Sequence, residues 1–276
     1  MSVSILILTL NEEVNLRDCV DSVKWSDDVV VLDSFSSDRT VEVARDLNVR
    51  VYQRKFDNYA AQRNFGLRDI PYRHSWVLML DADERVPPDL QTEILCAVRE
   101  APAEVTMFLV RRRDHLWGRW IRRSSGYPTW FGRVVRVGQV EVTRAINEEY
   151  HTDGEVRHLQ RHLDHFPFNK GFSEWIAKHD RYSTMEARLR VQAEQPRAAA
   201  RELVSRDPRV RRRGLKAWLY GIPARPLVVF CGLYFWRGGV LEGRAGLTFS
   251  LLRAWYEFMI DCKSRELQEA MAGRRP

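Results

Sequence analysis

Three features of the sequence predict an α/β chain built on a doubly wound, mainly parallel sheet. Short runs without polar alternation, Val3 to Leu8, Val29 to Leu32 and Trp76 to Leu80, read as strands buried on both faces. Helix-period stretches separate them, which implies right-handed βαβ units with helices on both sides of the sheet. Each run also stops at acidic or amide side chains: Asn11, Glu12 and Glu13 after the first, Asp33 after the second, and Asp81 and Asp83 after Leu80. The carboxyl ends of strands border the ligand crevice in open α/β sheets, so these side chains mark one.

Taken in order, Val3 to Leu8 is β-rich and leads through Thr9-Leu10-Asn11-Glu12-Glu13 into a helical pattern from Val14 to Val23. Ser2 to Leu10 lacks a basic n-region and a small-residue cleavage site, so it reads as a first strand rather than a signal peptide. Val29 to Leu32 ends at Asp33. The polar loop Ser34 to Asp38 follows, then a helix over Thr40 to Leu47 with Val41, Ala44 and Leu47 inward. Val49 to Gln53 is the third strand, Tyr59 to Leu67 a short helix carrying Gln62-Arg63-Asn64, and Trp76 to Leu80 the fourth strand. A helix over about Asp89 to Arg99 and a strand over Thr106 to Val110 complete the alternation. Strand alternation would point Asp81 and Asp83 the same way if the extension continued past Leu80, a geometry suited to a divalent metal; a polar turn before Pro87-Pro88 is the plainer alternative.

The 276 residues suffice for one large α/β domain plus an appendage, and 45% hydrophobic content is ample for a core. A formal net charge of +7 points to an anionic partner: nucleotide, nucleic acid or anionic membrane. The four cysteines show no Cys-x-x-Cys spacing, which argues against structural zinc and a disulfide framework and fits a reducing compartment. His162 and His165 form a His-x-x-His pair, too thin a set for structural zinc. The first turn lacks a dinucleotide glycine fingerprint, and there is no P-loop motif, so dehydrogenase and P-loop readings are disfavoured.

Four motifs in register, Thr9-Leu10-Asn11-Glu12-Glu13, Val31-Leu32-Asp33-Ser34, Ala61-Gln62-Arg63-Asn64 and Leu80-Asp81-Ala82-Asp83-Glu84, resemble the family 2 glycosyltransferases of GT-A fold, within them the bacterial lipopolysaccharide core β-1,4-glucosyltransferases. The resemblance covers Val3 to about Glu186 and, more loosely, Pro226 to Glu257. It implies a GT-A (nucleotide-diphospho-sugar transferase), Rossmann-like catalytic domain over 1–165 and a helical C-terminal region over 166–276. It also implies inverting transfer of a hexose, glucose from UDP-glucose, to a lipopolysaccharide-core or other lipid-linked saccharide, with Mg2+ or Mn2+ as cofactor. On that reading Asp81 and Asp83 hold the metal beneath the leaving diphosphate. Asp33 accepts from the base or ribose, Arg63 offers a fork to uracil or phosphate, and Asn11 and Glu12 finish the nucleoside pocket. Arg63 as a solvated helix charge is the alternative.

The resembling family places a His-Glu pair after a short strand, with the Glu taking the acceptor proton. Here Arg144-Ala145-Ile146-Asn147-Glu148-Glu149-Tyr150 has Asn147 in the His position, so Glu148 aligns with the base and Glu149 is next in line. A family His preceding a helix aligns with His165, which would reach the diphosphate or metal; a helix-entry histidine packed on the sheet is the other reading. A polyprenyl-phosphate sugar synthase would share the donor site. From another class, a basic nucleic-acid-binding protein is suggested by arginines interleaved with aromatics between Arg111 and Val137, residue types that also suit sugars and phosphorylated glycolipids. Carboxylates at three strand ends would repel a phosphate backbone unless metal were bound, and no nucleic acid is expected.

Lys170 to Gln195 reads as a long helix. The basic cluster Arg206 to Lys216 precedes the apolar run Leu227 to Trp236, which is far short of the ~20 residues of a spanning helix. Reclining in an anionic cytoplasmic leaflet is the expectation, with peripheral attachment to the inner face of the cell membrane; docking on protein is the alternative. Leu247 to Met271 reads as a final amphipathic helix.

Overall fold

The computed structural model describes residues 2–143, 149–192 and 224–273. The chain divides into two compact units, Met1–Arg122 with Tyr127–Gly171, and Arg123–Gly126 with Phe172–Pro276. The boundary expected at 165 thus falls after Gly171, and the short segment 123–126 goes with the C-terminal unit.

The first unit is a mixed, parallel-rich α/β sheet. Its strands are β1 (Ser4–Thr9), β2 (Val29–Asp33), β3 (Arg50–Gln53), β4 (Trp76–Asp81), β5 (Glu84–Arg85), β6 (Val105–Leu116), β7 (Arg119–Trp120), β8 (Trp130–Arg136) and β11 (Glu155–His165). They run in the order β3-β2-β1-β4-β8-β6-β11-β5, with β7 beside β6. β8 lies antiparallel between β4 and β6, and β5 antiparallel to β11; the other main strands share one direction. A separate hairpin joins β9 (Glu141–Thr143) to β10 (Glu149–His151).

Burial explains the layering. Ile5, Ile7, Leu78 and Leu80 face a core shared with Leu16, Cys19 and Val20 of α1 (Glu13–Asp21), Ala44 of α2 (Thr40–Asp46) and Leu90, Ile94 and Val98 of α4 (Pro88–Glu100). The alternate residues Leu6, Val77 and Met79 face a second core with Ala60 and Leu67 of α3 (Tyr59–Asp69). Both faces of β1 and β4 are therefore apolar, which is why these strands read as uninterrupted runs. Thr9 pairs with Asp33 and Leu8 with Asp81, so the ends of β1, β2 and β4 come level at one edge.

In the second unit α5 (Phe172–Gln192) packs along α7 (Gly243–Met271) through Trp175 against Trp255, Lys263 on Asp180, and Arg190 on Asp261. α6 (Arg225–Cys231) joins α7 by a buried ion pair, Arg225 to Glu257 at 2.5 Å. A π-helical turn, Gly232–Trp236, continues α6, so the expected apolar run is helical. Leu227, Val228, Phe235 and Trp236 are exposed, Trp236 by 92%. No helix among the described residues is long and apolar enough to cross a membrane. The basic cluster Arg206 to Lys216 lies outside the described residues.

Candidate active site

At the exit of β1 the chain turns through Asn11 in the left-handed region (φ 56°), a conformation asparagine tolerates better than most residues. Asn11 Oδ1 accepts from the Ser37 amide at 2.7 Å, and the Glu12 amide donates to Thr40 Oγ1 at 2.7 Å. Glu13 accepts from the Arg39 amide at 3.0 Å while its own amide donates to Asp38. These bonds stitch the β1–α1 turn to the loop after β2. Asp33 sits wholly buried beneath them. Its oxygens accept from Thr9 Oγ1, the Ser36 amide, Ser36 Oγ and Gln53 Nε2 at 2.5–3.1 Å. Four donors fill the acceptor capacity of a carboxylate, so Asp33, expected to meet a base or ribose, instead fixes the loop that lines the crevice.

At the exit of β4 extension stops. Residues 82 and 83 form a turn and Glu84–Arg85 returns as β5, so the shared direction expected of Asp81 and Asp83 is lost. Asp81 Oδ1 accepts from Arg63 Nη2 at 2.8 Å and Oδ2 from Arg133 Nη2 at 2.8 Å. Asp81, expected on the metal, is thus the counter-ion of two buried arginines. Arg63, expected to reach uracil or phosphate, has its fork turned inward with 3% exposure, and is no solvated helix charge. Arg133 is the extra residue where the β6–β8 register shifts, and the same Nη2 also donates to the fully buried Glu84 at 2.6 Å. Burial opposes the Arg133 charge, but Glu84 and Asp81 more than offset that and hold its pKa above the ordinary arginine value.

Asp83 faces the other way. Its Oδ2 lies 3.4 Å from His165 Nε2, while His165 Nδ1 is 2.6 Å from Asp114 Oδ1 and Asp114 in turn pairs with Arg112 at 3.0 Å. Burial and Arg112 oppose an imidazolium at His165, yet Asp83 and Asp114 prevail and raise its pKa. Glu12 belongs to the same crevice: burial first, then the Asp83 charge, raises its pKa against the opposing Asn15 and Lys170. Lys170 Nζ donates to Glu12 Oε1 at 2.8 Å and to the Asn11 carbonyl at 2.9 Å, and Asn169 Nδ2 donates to Asn15 Oδ1. Sequence reasoning missed Lys170, Asn169, Arg133 and Asp114. For Arg133 a signal existed: an arginine between Gly132 and Val134 in a buried strand demands a buried acid.

The donor set fits a divalent cation. A carboxylate oxygen and an imidazole nitrogen face each other, and the other ring nitrogen is anchored on a carboxylate, the outer-shell arrangement that orients metal-binding histidines. Among the described residues no three His, Cys, Asp or Glu side chains converge into a closed site. A two-residue set matches cations held by one or two protein groups plus substrate phosphates.

The β9–β10 hairpin brings the remaining candidate. Asn64 of α3 clamps it: Nδ2 donates to the Val142 carbonyl at 2.7 Å and Oδ1 accepts the Val142 amide at 2.8 Å, as a neighbouring strand would. Gly132 permits close approach of Tyr150, since a Cβ there would stand 3.0 Å from the ring. Glu148 and Asn147 lie outside the described residues; Glu149 begins β10 opposite Thr143 and is exposed.

Residues 4–152 match the family model described as "Glycosyl transferase family 2". The lipopolysaccharide core biosynthesis glycosyltransferase LpsC of Rhizobium meliloti (strain 1021) is 26% identical over 270 residues, 92% of this chain and 91% of that protein. An uncharacterized glycosyltransferase of Rickettsia bellii (strain RML369-C) is 36% identical over 93 residues, 33% of this chain and 31% of that protein. Among solved structures, S. aureus TarS 1-349 is similar at TM-score 0.44 and 13% identity, covering 98% of this chain and 92% of that one. Glucosyl-3-phosphoglycerate synthase from Mycobacterium tuberculosis, in complex with Mn2+, UDP and glucosyl-3-phosphoglycerate, is similar at TM-score 0.35 and 19% identity. That match covers 41% of this chain, which spans 44% of the synthase.

Proposed function

The chain belongs to glycosyl transferase family 2, and as a glycosyltransferase of that family we propose that it moves a hexose, glucose from UDP-glucose, with inversion onto a lipopolysaccharide-core or other lipid-linked saccharide. The observation that carries this reading is the meeting of Glu12 after β1, Asp83 after β4, His165 at the end of β11 and Lys170 just beyond it in one partly dry crevice, where burial and then the Asp83 charge raise the Glu12 pKa. Mixed charges at the carboxyl ends of parallel strands suit a nucleoside diphosphate better than a neutral ligand. The acceptor assignment draws on the likeness to LpsC over most of both chains.

Asp83 and His165 would hold Mg2+ or Mn2+, and the ion would supply neutralisation of the leaving diphosphate. Every other role falls to the chain. Lys170 brings a cation within reach of phosphate oxygens, and it is positioned by the Asn11 carbonyl and Glu12. Arg63 and Arg133 act through Asp81: they fix the end of β4 and so the turn that aims Asp83. Glu148, which follows β9 in the sequence, takes the acceptor hydroxyl proton, and Asn64 holds β9 against α3. Inversion follows from a single displacement, which needs one base and no covalent sugar on the enzyme.

A lipid-linked acceptor stays at its membrane, so the enzyme must meet it there. The exposed Leu227, Phe235 and Trp236 are suited to the headgroup region of the inner face, with the Arg206 to Lys216 cluster supplying attraction to anionic lipid. Incubation with a panel of nucleotide sugars, reading nucleotide release with and without Mn2+, tests the donor. UDP-glucose turnover that requires the metal is expected; release from no member of the panel would overturn the reading.

A further inference from the structure

Strand alternation splits the arginine run of β6. Arg112 turns to the buried acids, 3.0 Å from Asp114 and 3.7 Å from Glu84. Arg111 and Arg113 point to the other face. There Arg111 pairs across the sheet with Trp130 on one side and His162 on the other, which builds a row from three strands. Tyr127 Oη lies 2.6 Å from His162 Nε2, and the Tyr127 ring meets Trp120 edge-on at 5.2 Å. Two guanidinium groups, Arg113 and Arg122, approach Trp120 at 5.8 and 5.6 Å.

The balance of charge and hydrogen bonds in this cluster is one-sided. Asp164 answers Arg113 and His115. Arg111 and Arg122 have no ion pair among the described residues; the first donates to the Gln160 carbonyl and lies over Trp130, and the second rests near Trp120. Arg111 Nε and Trp120 Nε1 are buried donors without an acceptor. Both groups can only donate, so what the cluster lacks is acceptor oxygen and negative charge. Burial and then Arg111 and Arg113 lower the His162 pKa against the opposing charges of Asp89 and Asp164. Trp120 and Arg111 keep part of their surface, so a ligand oxygen reaches them by side-chain rotation, without opening the core.

The cluster adjoins the crevice. The Phe166 amide donates to the Asp83 carbonyl at 2.9 Å, the Phe166 ring stacks on His115 at 4.9 Å, and His115 shares Asp164 with Arg113. We propose that Arg111, Trp120, Arg122, Tyr127 and His162 form an acceptor subsite for a saccharide bearing a phosphate or carboxylate group. The rings offer apolar faces to the pyranose, and the guanidinium groups and the indole N–H take the anionic oxygens. The acceptor role rests on the glycosyltransferase reading above; the anion preference rests on the cluster alone.

Calorimetry with UDP and Mn2+ saturating keeps phosphate out of the donor site. Glucose 6-phosphate, glucuronic acid and glucose are titrated in turn. Glucose 6-phosphate should bind at least about tenfold more tightly than glucose, and Arg111→Gln with Arg122→Gln should erase that preference without changing UDP affinity. Arg122→Lys, which preserves charge at an exposed position, should retain most of it. Glucuronic acid binding as well as the phosphate would assign a general anion site, and weaker binding a phosphate site; both support the subsite. Equal affinity for charged and neutral sugars, or a preference that survives the double substitution, overturns it. Absence of UDP binding would count against the donor reading instead, and the sugar preference is read from the same titrations without UDP.

Discussion

Asn64→Ala removes the clamp between α3 and the β9–β10 hairpin while leaving the crevice carboxylates untouched. Wild-type Asn64 makes two bonds to the Val142 backbone, at 2.7 and 2.8 Å, and Val142 is 2% exposed, so its freed amide and carbonyl find no water. Two such bonds at ~1 kcal/mol net each give ~2 kcal/mol of local destabilisation as a lower bound, since stranded buried groups cost more. Opening of the hairpin should then rise about thirtyfold, seen as faster hydrogen exchange at the Val142 amide with little change in the β1 and β4 amides. Turnover should fall several-fold with UDP affinity unchanged, because the clamp acts on the segment carrying the proposed base. Unchanged Val142 protection, or loss of UDP binding with retained hairpin protection, would refute the reasoning.

Glu148→Gln should preserve UDP affinity and lower the rate by a factor on the order of 10² to 10⁴; full activity would pass the role to Glu149. Asp28, buried and bonded to the Arg73 amide, Ser4 Oγ and Arg50, has a depressed pKa although burial alone would raise it. Its contribution to stability is therefore complete above the unfolded value of ~3.9 and is lost as pH falls through the folded value. Wild-type melting temperature should drop more steeply than that of Asp28→Asn below about pH 4, and parallel curves would contradict this. Flotation with anionic vesicles should recover the intact chain in a salt-sensitive manner, and Phe235→Ser with Trp236→Ser should abolish it; equal binding to neutral vesicles would contradict the electrostatic attraction, and no binding by the intact chain would assign that exposed face another partner.

Apolar runs made β1, β2 and β4 legible, because strands buried on both faces leave no other pattern. β11 was not legible: Glu155–His165 is mostly charged and polar, and much of it is exposed. β8 was hidden likewise by Arg133, whose burial makes sense only with Glu84 beside it, a partner 49 positions away. The motifs pointed to the ends of β1, β2 and β4, and the partners their side chains take there were not legible. Asp33 and Arg63 were expected to contact ligand, and both are engaged by the chain's own groups. Single residues decide such outcomes: had extension continued beyond Asp81, both carboxylates would share a side, whereas the turn at 82–83 gives Asp81 to the arginines and Asp83 to His165. Lys170 lies far along the sequence from Glu12, and only the tertiary fold brings them to 2.8 Å.

The crevice at the ends of β1 and β4 is tested most directly by UDP affinity as a function of Mn2+ concentration, in the wild type and in Asp83→Ala. Mn2+ should strengthen UDP binding to the wild type, and Asp83→Ala should abolish that enhancement while leaving the metal-free affinity in place. UDP binding indifferent to Mn2+, or an enhancement that survives in Asp83→Ala, would contradict the assignment.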